Sequence, residues 1–150
     1  MKLLFVCLGN ICRSPTAEAV AVAEIKKRGL NWVCDSAGTS GHHDGESADP
    51  RSIRHGEMRG YNLTSISRGV TAHDFEHFDF ILAMDSANLA NLQKRCPKPE
   101  YQNKISLVTD YCSNFKVRGV PDPYYGSGKD FELVIDILED AIKGLINRIS

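Results

Sequence analysis

The stretch best equipped for chemistry is Cys7-Leu8-Gly9-Asn10-Ile11-Cys12-Arg13-Ser14-Pro15, in which a cysteine stands six positions ahead of an arginine. The apolar run Leu3–Leu8 before it reads as a strand buried on both faces of a parallel sheet. Ser14-Pro15 reads as a helix N-cap followed by proline at the first helical position. A loop from a buried strand to a helix N-terminus can curl its backbone N–H groups around an anion, with the helix dipole adding favourable potential. Gly9 allows the tight turn, and Arg13 offers a planar fork matched to phosphate oxygens. Cys7 faces the same positive field, which favours thiolate over thiol. A thiolate beside a bound phosphoryl group is a nucleophile in attack position. On residue types alone, the competing reading is a buried structural cysteine and a solvated arginine.

These residues need a frame. Helix is expected from Pro15 to about Arg28, stopping near Gly29; strand over Trp32–Ala37; loop over Gly38–Gly45; helix over Ala48–Arg59. Strand follows at Phe78–Met84, then a helix over Ser86–Arg95 capped by Asp85, a short strand at Ile105–Val108, and loop over 113–129. Phe131, Val134, Ile135, Leu138, Ile142, Leu145 and Ile149 recur at spacings of three and four, an apolar stripe that packs a last helix against a sheet. Alternating strand and helix in 150 residues predicts one α/β domain over 1–150. Its expected form is a three-layer domain whose central four-stranded parallel twisted sheet is flanked by helices. Ligands of such sheets bind at the carboxyl ends of the strands, where the loop after strand 1 lies.

Composition narrows the function. Hydrophobic residues make up 42% and charged residues 25%, and Lys plus Arg (18) nearly balances Asp plus Glu (19). A net charge of −1 argues against a general nucleic-acid or membrane-surface binder, which needs a basic excess. Five cysteines, an odd number, fit a reduced chain with free thiols better than a disulfide framework. The apolar start through Cys7 is shorter than a secretory signal core, and no segment approaches the roughly 20 apolar residues of a membrane span. The expected location is the cytoplasm. Only Cys7 and Cys12 form a close cysteine pair, so no metal site is expected, and no cofactor. A Walker-type nucleotide loop is excluded because Gly-x-x-x-x-Gly-Lys does not occur.

The loop sequence, with Asp122-Pro123-Tyr124-Tyr125 more than one hundred residues later, resembles the low-molecular-weight protein tyrosine phosphatases. Asp35-Ser36-Ala37-Gly38-Thr39-Ser40 and Ile81-Leu82-Ala83-Met84-Asp85 match in order and spacing, so the resemblance covers essentially the whole chain. It implies a two-step hydrolysis of a phosphotyrosyl protein or peptide that releases inorganic phosphate. In that scheme Cys7 is the nucleophile and forms a cysteinyl-phosphate. Arg13 and the amides of Leu8, Gly9, Asn10, Ile11 and Cys12 hold the phosphoryl oxygens. Asp122 is general acid and then base; read alone, Pro-Asp-Pro is only a good turn. Ser14 donates to the Cys7 sulfur, and Asn10 braces the loop through Ser36. Tyr124 and Tyr125 resemble the aromatic wall of the site, although Tyr125 reads equally well as a surface tyrosine. Cys12 stands where the family has a second thiol that forms a reversible disulfide with the nucleophile; the competing reading is a small loop residue.

Two features depart from the family pattern. His42-His43 stands near the position of a large aromatic wall residue; His43 is read as contacting substrate, and the alternative is two solvated loop histidines. Ser65 stands where relatives often carry a histidine that supports the phosphate loop, and Arg68 matches a structural basic residue. His55, His73 and His77 read as surface residues. The resemblance implies that Ile11 faces the substrate, and its apolar side chain suits a tyrosine ring rather than phosphoarginine, whose phosphatases resemble this chain but place threonine there. Two rivals remain at this stage: arsenate reduction on the same scaffold, which needs a late, close pair of resolving cysteines, and a phosphate-binding module without catalysis.

Overall fold

The computed structural model describes residues 1–150. The fold is built on β1 (Lys2–Cys7), whose Leu3, Leu4, Phe5 and Val6 are all fully buried. Leu3 and Phe5 face one side of the sheet and pack with α1 (Arg13–Lys27) and α5 (Gly128–Ile149). Leu4 and Val6 face the other side, toward Phe75 of α3 (Ala72–His77) and Leu92 of α4 (Ser86–Arg95). That two-sided burial is why the run carries no polar alternation. The remaining strands are β2 (Val33–Gly38), β3 (Phe80–Ala83) and β4 (Ile105–Leu107). All pairings are parallel, in the order β2-β1-β3-β4, so helices cover both faces of a single four-stranded α/β domain. The order reverses beside β1, and the carboxyl end of that strand is where a ligand crevice is expected.

The last helix is longer than its stripe. A capping box, Ser127 with Asp130, starts it at Gly128, and Ile137, Ala141 and Ile146 join the expected residues in the core. α2 is shorter than expected, running Pro50–Glu57 behind an Asp49 N-cap. α3 is absent from the sequence reading, although Thr71 and Asp74 form a capping box there. Short 3₁₀ turns span Pro99–Lys104 and Val108–Tyr111, the second beginning inside the strand expected to reach Val108.

Two glycines meet demands no other residue fits. At Gly38, the end of β2, a Cβ would sit 2.8 Å from Leu8 O and 3.2 Å from Asn10 Cβ. Gly119, at φ 132°, folds its segment against Met84 and Asp85, where Val120 N–H donates to Met84 O at 2.7 Å. That turn brings the 120–125 stretch across the sheet to the end of β1.

Candidate active site

The loop after β1 is held by its carbonyls. Cys7 O accepts from Thr39 N–H at 3.0 Å, Leu8 O from Ser40 N–H at 2.9 Å and Ile11 O from Asp49 N–H at 2.8 Å. Gly9 O accepts from the Ser67 hydroxyl at 2.9 Å, and Cys12 O from the Thr16 hydroxyl at 2.7 Å. With these oxygens committed outward, the loop N–H groups are left to the concave side, an anion nest at the start of α1.

Cys7, 2% exposed, sits at the base of that nest. Its sulfur lies 3.0 Å from Ser14 Oγ and accepts from Asn10 N–H at 3.2 Å. Arg13 is nearly as buried, and its Nη1 donates to Asp85 at 2.5 Å and to Val120 O at 3.1 Å. Nε and Nη2 make no hydrogen bond, so that edge of the fork is free for phosphoryl oxygens. Asp122 reaches in from the opposite side, Oδ2 3.8 Å from Arg13 Nη2, while Oδ1 accepts from Tyr124 N–H at 3.1 Å. Cys7, Leu8, Gly9, Ile11, Cys12 and Arg13 therefore line one cavity of about 220 Å³ with His43, Asp122, Tyr124 and Tyr125. His42 of the His42-His43 pair also lines it, as does Ser40, which the sequence did not single out.

Asn10 and Ser14 belong to the loop's rear, not to the cavity wall. Both are buried, and Asn10 Nδ2 donates to Ser14 Oγ at 2.7 Å. Ser14 is not the helix N-cap: Cys12 takes that position, and Ser14, within the first turn, spends its hydroxyl on the Cys7 sulfur and Asn10. The expected Asn10–Ser36 brace does not form either. Asn10 Oδ1 accepts from Arg68 N–H at 3.1 Å, while the Ser36 hydroxyl donates to Glu18 at 2.6 Å. Burial raises the Glu18 carboxyl, which stabilises its protonated form.

The segment behind the loop supplies groups that spacing could not reveal. Support comes from Ser67, whereas Ser65 makes no hydrogen bond to the loop. Arg68 spans Asp35 at 3.0 Å and Asp74 at 2.9 Å, its structural role as expected. Asp85, read only as a helix cap, does cap α4 through Asn88 N–H at 2.8 Å and also anchors Arg13. Asp49 caps α2 and takes a bidentate contact from Arg51, which holds its carboxyl below the usual range. The Arg51 guanidinium then lies 5.5 Å from the Tyr124 ring centre and 4.7 Å from that of Phe131, fixing the aromatic wall. Tyr124 meets Tyr125 edge-on at 4.9 Å, yet Tyr125 is 96% exposed and stands at the rim.

His43 closes the other side, its Nδ1 2.9 Å from Glu46 and its ring 6.2 Å from Tyr124. His55 is not a surface residue: it is half-buried, stacked on Phe131 and bonded to Glu132. Burial pushes the Cys12 thiol up to about 12, so it stays protonated at neutral pH beside Cys7. No group of His, Cys, Asp and Glu in the structure is arranged to hold a metal ion.

The family model for the low molecular weight phosphotyrosine protein phosphatases matches residues 2–150. The chain belongs to that family. It is 48% identical to a low molecular weight protein-tyrosine-phosphatase of Synechocystis, over all of this chain and 97% of that one. A protein tyrosine phosphatase of Entamoeba histolytica, solved with Hepes in its active site, superimposes with a TM-score of 0.97 at 52% identity, covering 99% of this chain and 96% of its own. The Drosophila arginine phosphatase superimposes with a TM-score of 0.94 at 31% identity, covering 99% and 97%. One family frame therefore carries relatives named for two different phosphoryl substrates. No helix is long and apolar enough to cross a membrane.

Proposed function

We propose that this phosphatase hydrolyses phosphotyrosyl groups of proteins or peptides through a cysteinyl-phosphate. The observation that carries the reading is the convergence of Cys7, the free edge of Arg13 and Asp122 on one cavity. In the first step the Cys7 thiolate attacks phosphorus, a P–S bond forms and the P–O bond to tyrosine breaks. The protonated Asp122 carboxyl gives its proton to the leaving phenolate oxygen. Loop amides and Arg13 hold the equatorial oxygens while charge spreads over them. In the second step Asp122 takes a proton from water, the water oxygen bonds to phosphorus and the P–S bond breaks. Ser14, 3.0 Å from the sulfur, donates to the departing thiolate. Inorganic phosphate leaves.

Substrate class rests on the walls. Ile11 packs with Cys12, Phe131 and Tyr124, giving a flat ring an apolar face and a guanidinium no polar partner. Five free thiols fit a reducing compartment, which supports the cytoplasm as the place of action. The balanced charge supports neither nucleic acid nor membrane as a partner. The test is phosphate release from a phosphotyrosyl peptide and from a phosphoarginyl peptide, with dithiothreitol and EDTA present, for wild type and Cys7→Ser. Turnover of the first that vanishes in the variant is expected. A preference for phosphoarginine overturns the substrate, and thiol-dependent reduction of arsenate without phosphatase activity overturns the reaction.

A further inference from the structure

Ser67 lies outside every motif of the loop, yet it is 4% exposed and engages two other segments of chain at once. Its N–H donates to Glu46 O at 2.8 Å, and its C=O accepts from Gly45 N–H at 2.8 Å. These bonds bind it to the segment that carries His43. Its hydroxyl donates to Gly9 O at 2.9 Å.

The consequence follows from peptide planarity. Gly9 O and Asn10 N–H belong to one peptide unit, and in a trans peptide they point in opposite directions. Ser67 holds the oxygen, and the N–H on the far side points at Cys7 Sγ, 3.2 Å from the nitrogen. Asn10 has φ 57°, in the left-handed region that non-glycine residues avoid. Rotating this peptide by half a turn takes Asn10 out of that region and removes its N–H from the sulfur. The loop thus has a local reason to flip, and the flip breaks the bond from Ser67.

We infer that Ser67 is a positioning residue: by pinning Gly9 O it keeps the Asn10 N–H on the Cys7 sulfur and ties the phosphate loop to the wall bearing His43. Its effect on turnover rests on the proposed function; its effect on the sulfur does not. Arg13, Cys12, Asp122 and His43 share the cavity with Cys7, and none is hydrogen-bonded to Ser67, so a Ser67 variant changes the sulfur's surroundings only through the loop.

The experiment follows iodoacetamide alkylation of Cys7 against pH, with and without inorganic phosphate, beside kcat/KM for p-nitrophenyl phosphate. In Ser67→Ala the alkylation profile is expected to move to higher pH, with kcat/KM falling roughly two- to tenfold, the worth of one hydrogen bond. Ser67→Thr restores both, and Ser65→Ala matches wild type. Should Ser67→Ala fail to fold, Ser67→Cys, a weaker donor of similar size, is read in its place and shifts the profile in the same direction. A folded variant with the wild-type alkylation profile overturns the inference, whatever its turnover. So does a Thr variant no better than Ala. Alkylation needs no substrate, so a chain that failed to hydrolyse phosphotyrosine would count against the function and leave the reading of Ser67 standing.

Discussion

Asp85→Ser separates two duties that one carboxylate performs. Asp85 Oδ1 caps α4 at 2.8 Å from Asn88 N–H, while Oδ2 takes Arg13 Nη1 at 2.5 Å. Serine caps a helix about as well as aspartate, so the variant keeps the first duty. It is too short and uncharged to perform the second. A hydrogen bond to a charged group contributes about 1.5–3 kcal/mol. Val120 O still holds Nη1 at 3.1 Å, and the Asp85 side chain is 31% exposed, so the lower part of that range applies. About 1.5–2 kcal/mol of lost orientation of the Arg13 fork corresponds to a fall of roughly 10- to 30-fold in kcat/KM. The assay is p-nitrophenyl phosphate turnover, with competitive inhibition by inorganic phosphate and a thermal melt on the same samples. The inhibition constant weakens with the rate, because ground-state phosphate uses the same fork. In a double-mutant cycle with Arg13→Lys, the two losses are strongly non-additive, since each removes the same contact. Wild-type kcat/KM in a folded Asp85→Ser, or additive losses in the cycle, would show that Asp85 is a helix cap and nothing more.

Other outcomes follow from the same geometry. Asp122→Ala slows phenyl phosphate, a poor leaving group, by about a hundredfold or more and p-nitrophenyl phosphate far less; equal losses remove Asp122 as the acid. Gly38→Ala places a Cβ 2.8 Å from Leu8 O, backbone that cannot rotate away, and costs about 1–3 kcal/mol on thermal unfolding together with activity; an unchanged melt and rate refute the close approach. Burial raises the Asp74 carboxyl, but bonds from Arg68 and Thr71 outweigh it and hold the group below its usual value. A depressed carboxylate contributes stability above its unfolded value and loses it as pH falls through the folded one. The melting difference between wild type and Asp74→Asn is therefore large at neutral pH and closes below about pH 4; a gap that persists in acid is packing, not charge. Iodoacetamide at neutral pH modifies Cys7 and spares Cys12, whose thiol burial keeps protonated; peptide mapping that finds Cys12 alkylated first contradicts this.

The meeting of Cys7 and Arg13 in one cavity and the strand-to-helix setting were legible because they are neighbours in sequence, and a buried parallel strand leaves a pattern that needs no partner to be recognised. Asp122 was legible only through the family resemblance. Nothing local distinguishes it from a turn residue, and it reaches the cavity because Gly119 folds the chain onto Met84 and Asp85. The anchors were not legible for a related reason. Ser67 meets Gly9 across 58 positions and Asp85 meets Arg13 across 72, and no periodicity records such contacts. The error at Ser14 has a different origin. Serine before proline is a good N-cap signal, but the Cys7 sulfur and Asn10 compete for the same hydroxyl, and helix α1 starts two residues earlier than its cap signal suggests. Helix α3 is too short to show a stripe, and its Thr71–Asp74 box was the one available sign.

The division between loop and walls bears on what can change without losing the reaction. The nest is made of peptide groups, and their orientation is imposed from outside by Thr39, Ser40, Asp49, Thr16 and Ser67. Changing any of these alters how well a phosphoryl group is held, whatever it is attached to. Ile11, His43, Tyr124 and Tyr125 instead line the cavity with side chains, where the proposed function places the part of the substrate beyond phosphorus. Here one wall is apolar and fixed, since Arg51 bridges Tyr124 and Phe131, and the other is a histidine paired with an exposed Glu46. A ring can lie against the first while groups flanking it meet the second. A positively charged leaving group would find no buried carboxylate on either wall, because Asp122 is the only acidic residue lining the cavity and its side chain is 46% exposed. The same argument points any shift of substrate class in this frame to the loop side chains that line the cavity beside that ring, Ile11 and Leu8.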